Sequence, residues 1–285
     1  MQLLQERDFS AFFTDTFQFI KENFVHLLTN YLIVNGLFLL LHFALNYMTD
    51  VENMMNFGPL YFVNLLVSLI MWFVSVSFAV IYMTLYNQKD GTNFNYRDII
   101  NYFGQNIGKI LLFFLISLVM AIPLFIAFYI VMILFAITIV GILAIPLVYA
   151  AFYLWFAMTF YEYMNTNKGY FDAMGYGFSL FMKKFWATTG SSALVFLIIF
   201  VIVGLIVGAF GLFGSFAGIN FQDPESVMEM VAIFRSPGAV LVILVYTILF
   251  QFAQVNPGII YFSQKEAFEG IKAKTNIDDI GKTEI

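Results

Sequence analysis

The stretch "ILLFFLISLVMAIPLFIAFYIVMILFAITIVGILAIPLVYAAFYLWFAMTF" (Ile110–Phe160) runs for 51 residues without one Asp, Glu, Lys, Arg or His. A helix crosses the ~30 Å hydrocarbon core of a bilayer in roughly 20 residues, so this run is about two spans long and must turn back on itself. Reading the rest of the chain against the same length predicts six spans, roughly Leu28–Met48, Leu60–Tyr86, Ile110–Ala136, Ile142–Tyr163, Ser191–Phe213 and Ala239–Phe262. The expected class is therefore all-α, a polytopic membrane protein of six transmembrane helices. Gly141 and Pro146 fall where the third and fourth spans turn, Pro146 in a first helical turn where its missing N–H is harmless. Pro123 and Pro257 lie inside spans and predict kinks.

Composition agrees, with 61% apolar and only 11% charged residues, where a soluble domain carries roughly 25% charge. The absence of cysteine excludes disulfides, thiolate catalysis, iron–sulfur clusters and cysteine zinc sites. A net charge of -5 argues against a nucleic-acid partner, because phosphate binding needs clustered Lys and Arg. The first 26 residues mix Glu6, Arg7, Asp8, Asp15, Lys21 and Glu22 with phenylalanines, unlike a cleaved signal peptide. Twelve of the 13 basic residues fall on one side of the six spans, and Arg235 alone on the other. That bias places both termini in the cytoplasm. The domain expectation is one bundle over residues 1–265 and a cytoplasmic tail over 266–285.

A segment with an apolar helical stripe precedes each odd-numbered span, at about 8–27, 96–109 and 169–188. The stripes share a triplet at i, i+3 and i+7: Phe17/Ile20/Phe24, Ile100/Phe103/Ile107 and Phe178/Phe181/Phe185. This suggests three repeats of an amphipathic helix plus a membrane hairpin. Each such helix is expected to lie in the headgroup plane, either anchoring its hairpin or sensing curvature and recruiting a partner.

The order "FTDTFQFIKENFVHLL" before span one, "GILAIPLVYAAFYLWFAMTFYEY" in span four, "GYFDAMGYGFSLFMKKFWATTG" after it and the closing "YFSQKEAFEG…NIDDIG" resemble the bacterial glycerophosphoryl diester phosphodiesterase membrane-domain-like families. The resemblance implies a bacterial cytoplasmic-membrane protein with this fold. In such phosphodiesterases a separate soluble barrel does the chemistry, so the resemblance implies no enzyme activity for this chain.

Metal chemistry is nearly closed off, because the only histidines, His26 and His42, stand 16 residues apart. On one helix that is ~24 Å, too far for a shared ion. No metal or cofactor is expected. The loop residues Asp50, Glu52, Asn53, Asn56, Asp223, Glu225 and Glu229 offer calcium-type oxygens but lack the spacing of a calcium loop. The span cores are read as free of Asp, Glu, Lys and Arg, leaving His42 as the one titratable group in the hydrocarbon. Proton relays and charged-ring channels are thereby disfavoured. Uncharged polar residues remain: Asn35, Asn46, Asn64, Ser68, Ser75 and Ser77 in the first hairpin, and Gln251, Gln254 and Asn256 in span six. They read as interhelical glue or as a polar path. His42, Asn64, Gln251 and Gln254 form the candidate intramembrane polar site, with His42 and Asn64 at equal depth in the first hairpin and expected to pair.

Span five carries Gly204, Gly208, Gly211, Ser215 and Gly218 on one stripe, the candidate packing seam, either within the chain or toward a homodimer or protein partner. The function expected is a non-catalytic scaffold, assembly or partner-binding subunit with membrane lipids as surroundings. The alternatives are a transporter or lipid-handling protein for a small or lipid-like uncharged substrate and, last, an intramembrane enzyme.

Overall fold

The computed structural model describes residues 1–49, 57–216 and 237–270. Among these residues there are seven helices: α1 (Phe9–Met48), α2 (Pro59–Gln88), α3 (Tyr96–Ala136), α4 (Ile139–Asn165), α5 (Tyr170–Lys183), α6 (Phe185–Phe216) and α7 (Pro237–Glu269). All except α5 are long and apolar enough to cross a membrane. The protein is an all-α, six-span membrane protein.

Three starts have visible local causes. Asp8 caps α1 by accepting from the Ala11 N–H, and Asn95 with Asp98 forms a capping box on α3. Thr138 accepts from the Gly141 N–H at the start of α4. These side chains satisfy amides that have no partner within the helix. The turn between the third and fourth spans is Ile137–Thr138, and α4 starts at Ile139. Pro146 is therefore interior to the helix, not in its first turn. Helices α3 and α7 run through Pro123 and Pro257 without ending.

Helices α1, α3 and α6 leave one end of the bundle and α2, α4 and α7 return to it. Antiparallel α1 and α2 meet through Tyr31–Ser75 and His42–Ser68, whereas parallel α4 and α7 meet through Tyr153–Gln254 and Glu162–Tyr261. The end holding the start of α1, the α2–α3 link, the α4–α5–α6 junction and the close of α7 carries the basic residues among those described and is called the basic end below. Most of the core lies toward it: Phe12, Phe19, Tyr82, Phe113, Phe160, Tyr161 and Tyr261 are all fully buried. The opposite halves of α3 and α6 expose Leu118, Ile122, Phe125, Phe200 and Leu205. Lipid tails are as apolar as these side chains, so that exposure needs no protein cover.

The in-plane helices expected at 8–27 and 96–109 are corrected. Each is the opening part of an unbroken helix, α1 of 40 and α3 of 41 residues. At 1.5 Å per residue both reach ~60 Å, against ~30 Å of hydrocarbon. One buried stripe on α1 passes through Phe12, Thr16, Phe19, Asn23 and Leu27 and continues to Tyr31, Asn35 and Leu39. The packing face that starts in the first segment thus runs on into the span. Only the third segment is separate: α5 ends at Lys183, capped by Lys184, whose φ of -130° and ψ of 47° leave the helical region. In the first two triplets Phe17, Phe24, Ile100 and Ile107 are exposed, with Ile20 and Phe103 half-buried. In the third, Phe178 is exposed, Phe181 buried and Phe185 half-buried. The bundle also outlasts its expected limit, because α7 continues to Glu269, which accepts from the Tyr176 hydroxyl.

Helix α5 folds back on α4 at a backbone-close crossing. A Cβ on Gly177 would stand 2.9 Å from the Thr159 amide nitrogen. Gly258 on α7 is equally confined, 2.6 Å from the Tyr161 hydroxyl and 2.9 Å from Met83. Gly204 and Gly208 meet nothing within 4 Å. Gly177→Val should therefore destabilise the protein by ~2 kcal/mol through overpacking, whereas Gly204→Val should stay within ~0.5 kcal/mol. Denaturant midpoints in detergent measure both, and equal loss in the two variants would contradict this packing.

Candidate functional site

The polar residues of α7 are sealed into the bundle. Gln251 is 2% exposed and Gln254 5%. The Gln254 side-chain carbonyl accepts from the Tyr153 hydroxyl. Gln251 lies beside the Tyr31 hydroxyl, with neither amide atom in hydrogen-bond geometry. Tyr31 itself joins Ser75 at 3.2 Å, and Ser75 donates to Asn35 at 3.2 Å. Two residues beyond Gln254 toward the basic end, Asn256 donates to Thr16 and Ser191 and accepts from Ser192 at 2.6 Å, binding α7 to α1 and α6. Ser77 is fully buried.

His42 and Asn64 are brought together, but through Asn46 and Ser68 rather than directly. Asn64 donates to Asn46 at 2.8 Å, and Asn46 donates to His42 Nε2 at 2.9 Å. His42 Nδ1 stands 3.0 Å from Ser68 Oγ, which donates to the Asn64 carbonyl at 2.7 Å. The ring closes with one tautomer, neutral imidazole carrying its proton on Nδ1. His26 takes the opposite one: its Nε2 faces the Phe94 carbonyl at 2.7 Å and its Nδ1 the Tyr82 hydroxyl at 2.8 Å. It thereby pins the α2–α3 link to α1. Gln251 and Gln254 lie in a separate cluster, so the four candidate polar residues do not form one site. His42→Leu should weaken the first hairpin by ~1 kcal/mol, the scale of interhelical hydrogen bonds in membranes, and His42→Gln by less. Unfolding in detergent reads the difference, and a neutral His42→Leu would remove the role assigned to the ring.

Next to the last residue of the predicted fourth span, outside the charge-free span cores, stands Glu162, whose carboxylate is 0% exposed on α4. Its Oε1 accepts from Lys168 at 2.7 Å, and its Oε2 from Lys265 at 3.0 Å and the Tyr261 hydroxyl at 2.7 Å. Lys168 also stands 3.3 Å over the Tyr176 ring. Burial, then the neighbouring Glu269 carboxylate, pushes the Tyr176 hydroxyl well above the usual phenol range, so it remains a donor. Two lysines and two carboxylates balance, and the cluster joins α4, the α4–α5 link, α5 and α7. Sequence reading missed it because Glu162 and Lys265 stand 103 residues apart. Only the Tyr261–Lys265 spacing of four was visible locally. Glu162→Ala would leave Lys265, 13% exposed, without its counter-charge, at a cost of ~3–5 kcal/mol. Lys168 is 36% exposed, so Lys168→Ala should cost under about 1 kcal/mol. Chemical denaturation of the two variants would test this ranking, which a larger loss in Lys168→Ala would reverse.

Gly204 and Gly208 are exposed and make no close helix contact within the chain. The intrachain form of the seam is absent at these two positions. The side chains of Gly211 and Ser215, and Gly218 altogether, lie outside the described residues, as do Asp50, Glu52, Asn53, Asn56, Asp223, Glu225 and Glu229. Among the described residues no group of three His, Asp or Glu is placed to hold a metal.

Two apolar cavities border α4. One, of about 400 Å³, lies between α2, α3, α4 and α5, with Trp72, Phe114, Phe125, Tyr153 and Trp155 among its walls. The other, of about 460 Å³, lies between α4, α5 and α6 and is lined by Val148, Phe178, Met182 and Trp186. Gln251 and Gln254 line neither. Comparison with protein families, characterised proteins and solved structures finds no match to this chain. The resemblance to the phosphodiesterase membrane-domain-like families thus rests on its own residues alone.

Proposed function

We propose that this chain is a non-catalytic scaffold, assembly or partner-binding protein of the bacterial cytoplasmic membrane, built of three related helical units, with both termini in the cytoplasm. The observation that carries this reading is the cap at the basic end. Helices α1 and α3, each ~60 Å long, exceed one bilayer thickness. Toward the basic end α1 packs on α2 and α7 through Phe19–Tyr86 and Thr16–Asn256, and α3 packs on α4 and the start of α5 through Phe113, which meets Phe160 and Tyr170. The charged side chains buried in that cap serve to hold it. Glu162 is neutralised by Lys168 and Lys265. Arg7 binds Asp15 at 2.8 Å and the carbonyls of Gln2, Leu3 and Gln5. Lys109 donates to the Thr166 carbonyl at 2.6 Å, closing the end of α4. Transport of a polar solute is disfavoured because Gln251 and Gln254 face protein on all sides.

The outward face of the cap offers a partner Phe9, Phe17 and Phe24, all exposed on α1. Purification from native membranes in mild detergent should yield a stoichiometric protein partner. Replacing the three phenylalanines with serine should release that partner while the thermal midpoint stays within a few degrees. Isolation of the chain without any protein partner, together with uptake of an uncharged solute by vesicles containing it, would contradict the proposal.

A further inference from the structure

We infer that the cavity between α2, α3, α4 and α5 is a slot for one hydrocarbon chain of a membrane phospholipid, whose headgroup lies toward the basic end. This goes beyond the scaffold reading and does not rest on it.

The walls decide the chemistry. They are aromatic and aliphatic, and their polar side-chain atoms are hydroxyls and the indole N–H groups of Trp72 and Trp155, the latter donating to the Met174 carbonyl. A pocket of about 400 Å³ with such walls suits an apolar ligand. Water is a poor occupant, because a buried water needs two to four polar partners. An unfilled void would forfeit the dispersion contacts of its whole lining.

Position decides the source. The wall residues Leu118 and Phe125 of α3, with Leu69 and Trp72 of α2, are exposed at the rim. These helices are membrane spans, so the mouth opens on lipid tails. Shape agrees with this. On α3 the lining runs from Phe114 to Phe128, a rise of ~21 Å, against ~15 Å for the hydrocarbon of one leaflet. The slot therefore lies along the direction of an acyl chain and is long enough for one.

Polarity decides the orientation. Tyr170 and Ser117 close the slot at its basic end, their hydroxyls 3.1 Å apart. Two turns further along α3 stands Lys109, half-buried over the Tyr163 ring. Two hydroxyls and a cation gather at this end, whereas beyond it the Tyr153 hydroxyl is turned to Gln254, and Tyr149 and Trp72 are further polar-tipped walls. This matches an amphiphile with its phosphate near Lys109 and its chain running toward the opposite face.

The test uses Trp155, a wall residue that is one of three tryptophans in the chain. Trp72→Phe and Trp186→Phe leave it as the single reporter. The protein is placed in phosphatidylcholine vesicles whose chains carry bromine, which quenches tryptophan on contact. Trp155 should be quenched, and Ala121→Phe, which fills the slot, should at least halve that quenching. Val119→Phe, outside the lining on the same helix, should leave it unchanged. No quenching, or equal quenching with and without Ala121→Phe, would overturn the assignment. Should Ala121→Phe fail to fold, native mass spectrometry of the detergent-purified parent decides. One phospholipid retained per chain supports the slot, and none retained overturns it.

Discussion

A carboxylate cannot stay ionised inside a helical bundle unless positive charge and hydrogen bonds replace the water it loses. Glu162 meets that requirement with Lys168, Lys265 and the Tyr261 hydroxyl. Its partners come from the link after α4 and from the last turns of α7, so the ends of two parallel helices are held at one level. Tyr176 then brings α5 onto the same cluster through the Lys168 ammonium and the Glu269 carboxylate. With α5 fixed, Gly177 can cross Thr159 at backbone distance, and the cap at the basic end closes.

Away from the cap the physical rules change. The far halves of α3 and α6 expose long apolar faces, and their neighbours are lipid tails. Packing there no longer draws on the hydrophobic effect, so helices can stand apart where lipid tails fill the space between them. Two groups of the polar residues at depth are joined in small sets, His42 with Asn46, Asn64 and Ser68, and Asn256 with Thr16, Ser191 and Ser192. Each set ties two or three helices. A firm cap and a looser membrane portion with apolar slots suit a protein that presents a surface and holds lipid better than one that moves solutes.

The six spans were legible because the bilayer imposes a length of about 20 apolar residues on every helix, and Ile110–Phe160 exceeds it twofold without a charge. The depth match of His42 and Asn64 was legible from helix rise alone, but not the intervening Asn46 and Ser68, whose roles depend on rotation about the helix axes. Continuity of α1 was hidden because an apolar stripe reads the same whether it faces lipid headgroups or a neighbouring helix. Glu162 was hidden at a span boundary, where charges are normally solvated, and its partners are remote in sequence. The glycine stripe of α6 was read as a packing seam within the chain or toward a partner, yet at Gly204 and Gly208 nothing in the chain approaches, while Gly177 and Gly258 are confined by other helices. Absence of a side chain permits a helix crossing; it does not say which helix crosses.

The central claim is that the polar interior of the bundle is closed and serves structure. Because the chain has no cysteine, Gln251→Cys introduces a single thiol at the point where a solute path would have to pass. A water-soluble methanethiosulfonate reagent applied to both faces of the membrane measures its access directly, with Lys89→Cys as the exposed reference. The account predicts that the thiol at 251 stays unlabelled while that at 89 reacts to completion. Labelling at 251 at a rate near that at 89 would mean a water-filled route through the bundle and would contradict it.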